Sequence, residues 1–213
     1  MSYEAIEPKL RMGDVLEGLV SSVTSITNPF LNNDKNELSF NITHGKYYAI
    51  LSPCCAIGKD SSLGKDVIII TPLIQLNRSF LRNPFIQEDF NRINKEMSAE
   101  EAIPPEDWKK MLENEKQDRN NQGNQYAWGN YFVYEPNTLF PEYELSSKGT
   151  EPIKTQFYMI DFKNLSVIQK RPIGSLNEAK RLQLSISSRN ELREKLAEFF
   201  GTPPNEDTII SAD

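Results

Sequence analysis

The sequence predicts an α+β fold: a small, strongly bent and mostly antiparallel sheet, interrupted by a helical insertion and closed by a C-terminal helix. Three observations carry that expectation. β-Branched and aromatic runs parted by Asn, Pro and Gly fill the first third, the middle switches to helical periodicity, and a capped apolar stripe stands near the end.

In order along the chain, "GDVLEGLVSSV" from Gly13, "ELSFNI" from Glu37, "YYAILS" from Tyr47 and "DVIIITPLIQL" from Asp66 read as strands, because their side chains fit a pleated surface and turn residues separate them. The polar connection "TNPFLNNDKNE" reads as a loop. In "NPFIQEDFNRINKEM" the apolar residues Ile86, Phe90, Ile93 and Met97 recur at helical spacing behind an Asn83 cap and Pro84, so a helix with one buried face is expected. A second helix is expected in "PPEDWKKMLENEKQDR", with Trp108, Met111 and Leu112 as its stripe. Strands return in "QYAWGNYFVYEP" and "IKTQFYMIDFKNLSVIQKR". Ser188 and Glu191 have the spacing of a capping box, Leu192, Leu196 and Phe199 form a stripe, and "GTPP" from Gly201 supplies the stop. The acidic end "NEDTIISAD" is expected to be loosely held.

Composition limits the function classes. With 213 residues, 38% of them apolar, the chain is long enough to bury a core without disulfides or metal. A formal charge of -6 disfavours nucleic acid as the main partner. The aromatics Tyr126, Trp128, Tyr131, Phe132 and Tyr134 have no Lys or Arg among them to meet a phosphate backbone, so strand core is preferred to base stacking. No stretch approaches the roughly 18 apolar residues of a membrane span, and the start lacks a signal-like apolar run, which points to the cytoplasm. P-loop, dinucleotide and nucleophile-elbow patterns are absent from the sequence, and no cofactor is expected.

Cys54 and Cys55 follow a strand end in "LSPCCAIGKD". Alternation along an extended chain places Cys54 toward the core and Cys55 toward solvent, where Lys59 favours a thiolate and His44 is a candidate base. Structural packing is the plainer reading, since free cysteines are often buried. Two adjacent Cys and one His fall short of a zinc site, so no metal is expected.

The spacing of Gly13-Asp14, Leu51-Ser52-Pro53 and Thr71-Pro72 resembles the opening strands of MazF/PemK-type toxins over residues 13–74. The later part resembles a group of bacterial proteins with an "LSxxCD"-type turn, a strand and a terminal helix. The resemblance implies one enlarged PemK-like barrel domain over 1–204, with a helical insertion at about 84–120 and a flexible tail at 205–213. It also implies where ribonuclease residues belong: a base just before the "LS" strand, near His44 and Lys46, and a hydroxyl just after the third strand. That second position holds Ile74, leaving Thr71 as the nearest hydroxyl, and the usual Arg is missing. Ala56 stands where the second group tends to have Asp. The expectation is a binding or regulatory protein of a bacterial toxin-antitoxin or phage-defence system, with another protein encoded nearby as partner. The alternative is a divergent endoribonuclease using His44, Lys46 and Thr71, or a cysteine-dependent enzyme using Cys55.

Overall fold

The computed structural model describes residues 2–26, 38–58, 67–82, 89–94, 112, 129–146, 149, 151–170 and 173–201. The strands among them are β1 (Val15–Glu17), β2 (Ser21–Ile26), β3 (Leu38–Thr43), β4 (Tyr47–Ile50), β5 (Val67–Pro72), β6 (Ile74–Gln75), β7 (Tyr131–Tyr134), β8 (Tyr143–Leu145), β9 (Ile153–Thr155), β10 (Tyr158–Asp161), β11 (Ser166–Gln169) and β12 (Lys180–Leu182). The helices are α1 (Cys54–Gly58), α2 (Ile173–Glu178) and α3 (Ile186–Gly201), with 3-10 turns at Arg78–Arg82 and Phe90–Asn94. The result is an α+β chain with antiparallel sheets. None of the described helices is long and apolar enough to cross a membrane.

Two compact units form, each from separated stretches. One takes Met1–Ile74 and Lys163–Arg189, the other Gln75–Phe162 and Asn190–Asp213. In the first unit the strands run β11-β5-β4-β1-β12 in one antiparallel sheet. Ile50 pairs with Ile70, and Leu16 with Tyr48. Leu16, Tyr48, Ile50, Ile68 and Ile70 therefore share a face, which packs with Leu10, Ile57 and Leu176 into a buried cluster. Each such side chain removed from water contributes roughly 1.5–3 kcal/mol. The row Val15, Ala49 and Thr71 lies on the opposite face and is also fully buried.

The Pro53-Cys54-Cys55 stretch is helical, where a turn with strand alternation was expected. The amides of Ala56 and Ile57 both donate to the Pro53 carbonyl, at 2.9 and 3.1 Å. Helical rotation makes Ile57 the residue that enters the core, and Cys54 is exposed. The expected inward Cys54 is thereby corrected. The side chain of Cys55 lies outside the described set, as does Lys59.

In the second unit β7 and β10 pair antiparallel, Tyr134 opposite Tyr158 and Phe132 opposite Ile160, and β8 pairs with β9. Aromatic edges hold the unit together: Phe80 meets Tyr131 at 5.6 Å, and Tyr143 meets Tyr158 at 5.4 Å. The Tyr143 hydroxyl accepts from the Leu76 amide and donates to the Phe157 carbonyl, and burial pushes its phenol up to about 12. Phe132 and Tyr134 are core residues, while Tyr126 and Trp128 lie outside the described residues.

Two helix expectations are corrected here. The described part of the first insertion helix, Phe90–Asn94, is a 3-10 turn. Asp89 Oδ1 accepts the Asn91 amide at 2.9 Å, and the Asn94 side chain bonds both backbone groups of Val133, which fixes a tight turn against β7. Asn83, Pro84, Ile86, Met97 and the second insertion helix fall outside the described residues, apart from an exposed Leu112. The other correction concerns α3, which begins at Ile186 and is capped by Ser185 rather than Ser188. Ser185 Oγ accepts the Ser188 amide at 3.3 Å, and its carbonyl accepts the Arg189 amide at 2.9 Å. Leu192 is its fully buried residue.

Candidate functional site

Gly13 has a φ of 81°, a left-handed conformation that costs glycine little. It lets the chain turn from Arg11 into β1, so that the Arg11 amide donates to Asp14 Oδ2 at 2.7 Å. Across the sheet, β12 carries a bulge against β1: Val15 faces Leu182 while Leu16 faces Lys180. The extra residue, Arg181, turns outward to Glu17 at 3.0 Å, and Lys180 is aimed inward. Its amine reaches Asp14 Oδ2 at 2.7 Å, with neither side chain exposed.

Around that pair a network ties the N-terminal segment to the end of β12. Lys180 also donates to the carbonyls of Glu7 and Lys9, at 3.1 and 3.0 Å, and to Gln183 Oε1. Gln183 donates to Glu4, and Glu4 accepts from Arg189 at 2.5 Å and faces Arg11 at 3.6 Å. Burial pushes the Asp14 carboxyl up from 3.8 to about 6, against the pull of Lys180, the Arg11 amide and Arg189. Asp14 Oδ1 and Arg189 Nε are buried with no hydrogen-bond partner. The Asp14–Lys180 pair at the centre of the network is closed to solvent and acts as a clasp between the N-terminal segment and β12. Lys180 stands out weakly in the sequence: Lys180, Leu182 and Leu184 alternate with period two, a strand signal obscured by the adjacent cations.

The residues singled out for catalysis lie elsewhere in the same unit. His44 and Lys46 are exposed on the connection before β4, and the Lys46 amine stands 5.0 Å from the centroid of the Tyr47 ring. Tyr48 fixes this connection: its hydroxyl accepts from the Gly45 amide at 2.8 Å and from Ser21 at 3.2 Å. A Cβ at Gly45 would stand 2.8 Å from the Tyr48 ring, so only glycine fits so close. Thr71 is fully buried in β5, opposite Ala49 of β4. His44 and Lys46 share one connection, and Thr71 is not gathered with them. Ile74 is half-buried in β6.

Cys54 is a free, exposed thiol at the start of α1. Among the described residues no group of three His, Cys, Asp or Glu side chains converges as metal ligands. A scan of protein-family models, a search of curated proteins and a search of solved structures each gave no match to this chain.

Proposed function

We propose that this chain is a binding or regulatory protein on a MazF/PemK-like barrel, serving a bacterial toxin-antitoxin or phage-defence system and acting on another protein encoded nearby. The observation that carries the reading is that Thr71 is fully buried in the sheet while His44 and Lys46 are exposed, which supports a chain without the ribonuclease set over one with it. Two features support it. The three segments that carry the resemblance lie side by side as β1, β4 and β5. On the outer face of β5 and β11, Val67 and Val167 are 50% and 60% exposed, with half-buried Ile69 directly across from Val167. Apolar surface of that kind serves a protein partner better than a nucleic acid.

The test is co-expression of the tagged chain with each product of the adjacent genes. A stoichiometric complex that is lost in Val167→Arg is the expected result. Site-specific cleavage of single-stranded RNA by the purified protein, lost in Lys46→Ala, would overturn the proposal and favour the ribonuclease.

A further inference from the structure

Residues 2–9 are held by the first unit much as a bound peptide would be. Tyr3 forms an antiparallel bridge with Leu184, just past β12; beside it the Glu4 amide donates to the Gln183 carbonyl at 3.1 Å and the Ser185 amide to the Ser2 carbonyl at 2.9 Å. The Glu7 amide donates to Gln183 Oε1 at 3.0 Å, and the carbonyls of Glu7 and Lys9 accept from Lys180. All of these contacts are polar. No side chain from 2 to 9 is buried: Ala5 to Lys9 are exposed, and burial begins only at Leu10 and Met12. A segment held in this way opens locally at small cost, because it carries little apolar surface into water. Its fit is also incomplete at one place. Glu4 Oε1 accepts from Arg189 Nη2 at 2.5 Å and from Gln183 Nε2 at 2.6 Å and faces Arg11 at 3.6 Å, whereas Arg189 Nε is buried with no hydrogen-bond partner. Nε and Nη2 lie on one edge of the guanidinium, spaced for the two oxygens of a single carboxylate, and a buried donor is expensive to leave unmade.

We propose that residues 183–185, with Arg11, Lys180 and Arg189, form a groove for an extended acidic peptide, and that residues 2–9 occupy it as an internal competitor. The incoming peptide pairs as a strand with the Gln183 carbonyl and the Ser185 amide, offers its own carbonyls to Lys180, and seats a carboxylate on both Nε and Nη2 of Arg189. Charge selects this occupant. When residues 2–9 leave, Glu4 and Glu7 go with them, so Arg11 and Arg189 lose the carboxylates they face and a neutral strand would not replace them. The orphaned Arg189 Nε argues against a second copy of this chain: its residues 2–9 would bring the same Glu4 and leave the same donor unpaired. β12 and β11 stand at opposite ends of the strand order, so this groove is independent of the surface around Val167.

The test uses the full chain with Cys54→Ser and Cys55→Ser, to which Ile6→Cys is added and labelled with a fluorophore; Ile6 is 53% exposed, so the label is accommodated. The probes are blocked peptides patterned on residues 2–8, with Asp, Glu or Gln at the place of Glu4. A tethered segment competes at an effective concentration of about a millimolar, so the Asp and Glu peptides are expected to free the labelled segment, seen as a fall in fluorescence anisotropy, in the millimolar range. Adding Glu4→Gln weakens the competitor and is expected to lower the midpoint about tenfold, with the Gln peptide about tenfold less effective than the acidic ones. Arg189→Lys, which keeps the charge but not the fork, is expected to erase most of that preference. If Glu4→Gln lowers the thermal melt, the chain that keeps Glu4 decides by the same comparison of peptides. Equal midpoints for the acidic and Gln peptides, anisotropy that no peptide changes, or a preference that survives Arg189→Lys would each overturn the proposal. Release of the segment accompanied by a dimer in sedimentation, with no peptide bound, would overturn it in favour of a second copy.

Discussion

Asp14 and Lys180 illustrate how a buried ion pair is costly to break and cheap to replace as a whole. Their attraction is offset by the water both gave up, and the upward shift of Asp14 shows that desolvation wins over the pull of the amine. Lys180→Met leaves an uncompensated carboxylate in the core and is expected to cost about 3–5 kcal/mol, whereas Asp14→Leu with Lys180→Met recovers most of that loss. Urea midpoints of the three chains check this. The pH dependence has a definite sign. Between 3.8 and about 6 the folded chain keeps a proton on Asp14 that the unfolded chain has released. The stability contributed by that proton is full below 3.8 and is lost as pH rises through about 6. Subtracting the profile of Asp14→Asn from that of the native chain should leave a difference that favours the native chain increasingly from pH 7 toward pH 4. A flat difference would mean that Asp14 titrates alike in the folded and unfolded chain.

At the scale of elements, the sequence was most legible where local preference and burial agree. "VIIITP" is β-branched and buried along the face of Ile68 and Ile70, and it is β5; "YYAI" is aromatic and buried, and it is β4. It was least legible where a short element depends on a distant partner. α1 is five residues long, too short for periodicity, and forms because Ile57 has a core to enter. The 3-10 turn at 90–94 is set by Val133, about forty residues away. The start of α3 was displaced because Ser185 and Ser188 are both plausible caps, and only the carbonyl and amide geometry separates them. Of the candidate site, the connection carrying His44 and Lys46 was legible as exposed polar chain, but its anchoring by Tyr48 was not. That anchoring gives a prediction: Gly45→Ala drives a methyl group into a Tyr48 ring that has no exposure, and is expected to lower stability by about 1–3 kcal/mol. A thermal melt unchanged from the native chain would show that the connection yields more easily than this packing implies.

For the molecule as a whole, the order of the chain matters more than its length. The first unit is closed by strands from both ends of the sequence: β5 needs β11, β1 needs β12, and Asp14 needs Lys180. Between these stretches the chain builds most of the second unit, Gln75–Phe162. Pairings over such separations are slow to form, since loop closure precedes any gain from contact. Glu4 and Gln183 add a further link of this kind, the Glu4 amide donating to the Gln183 carbonyl at 3.1 Å. A chain ending at Phe162 therefore retains β1, β4 and β5 but loses both flanking strands and the cation for Asp14. It is expected to show no cooperative melt for the first unit. A chain in which residues 75–162 are replaced by a flexible linker of about ten Gly and Ser residues, ending at Arg189, keeps every pairing of that sheet and is expected to melt cooperatively. Circular dichroism and urea titration distinguish the two chains. Cooperative unfolding of the shorter chain with the native midpoint would show that β11, β12 and the Lys180 clasp contribute little to the stability of the first unit.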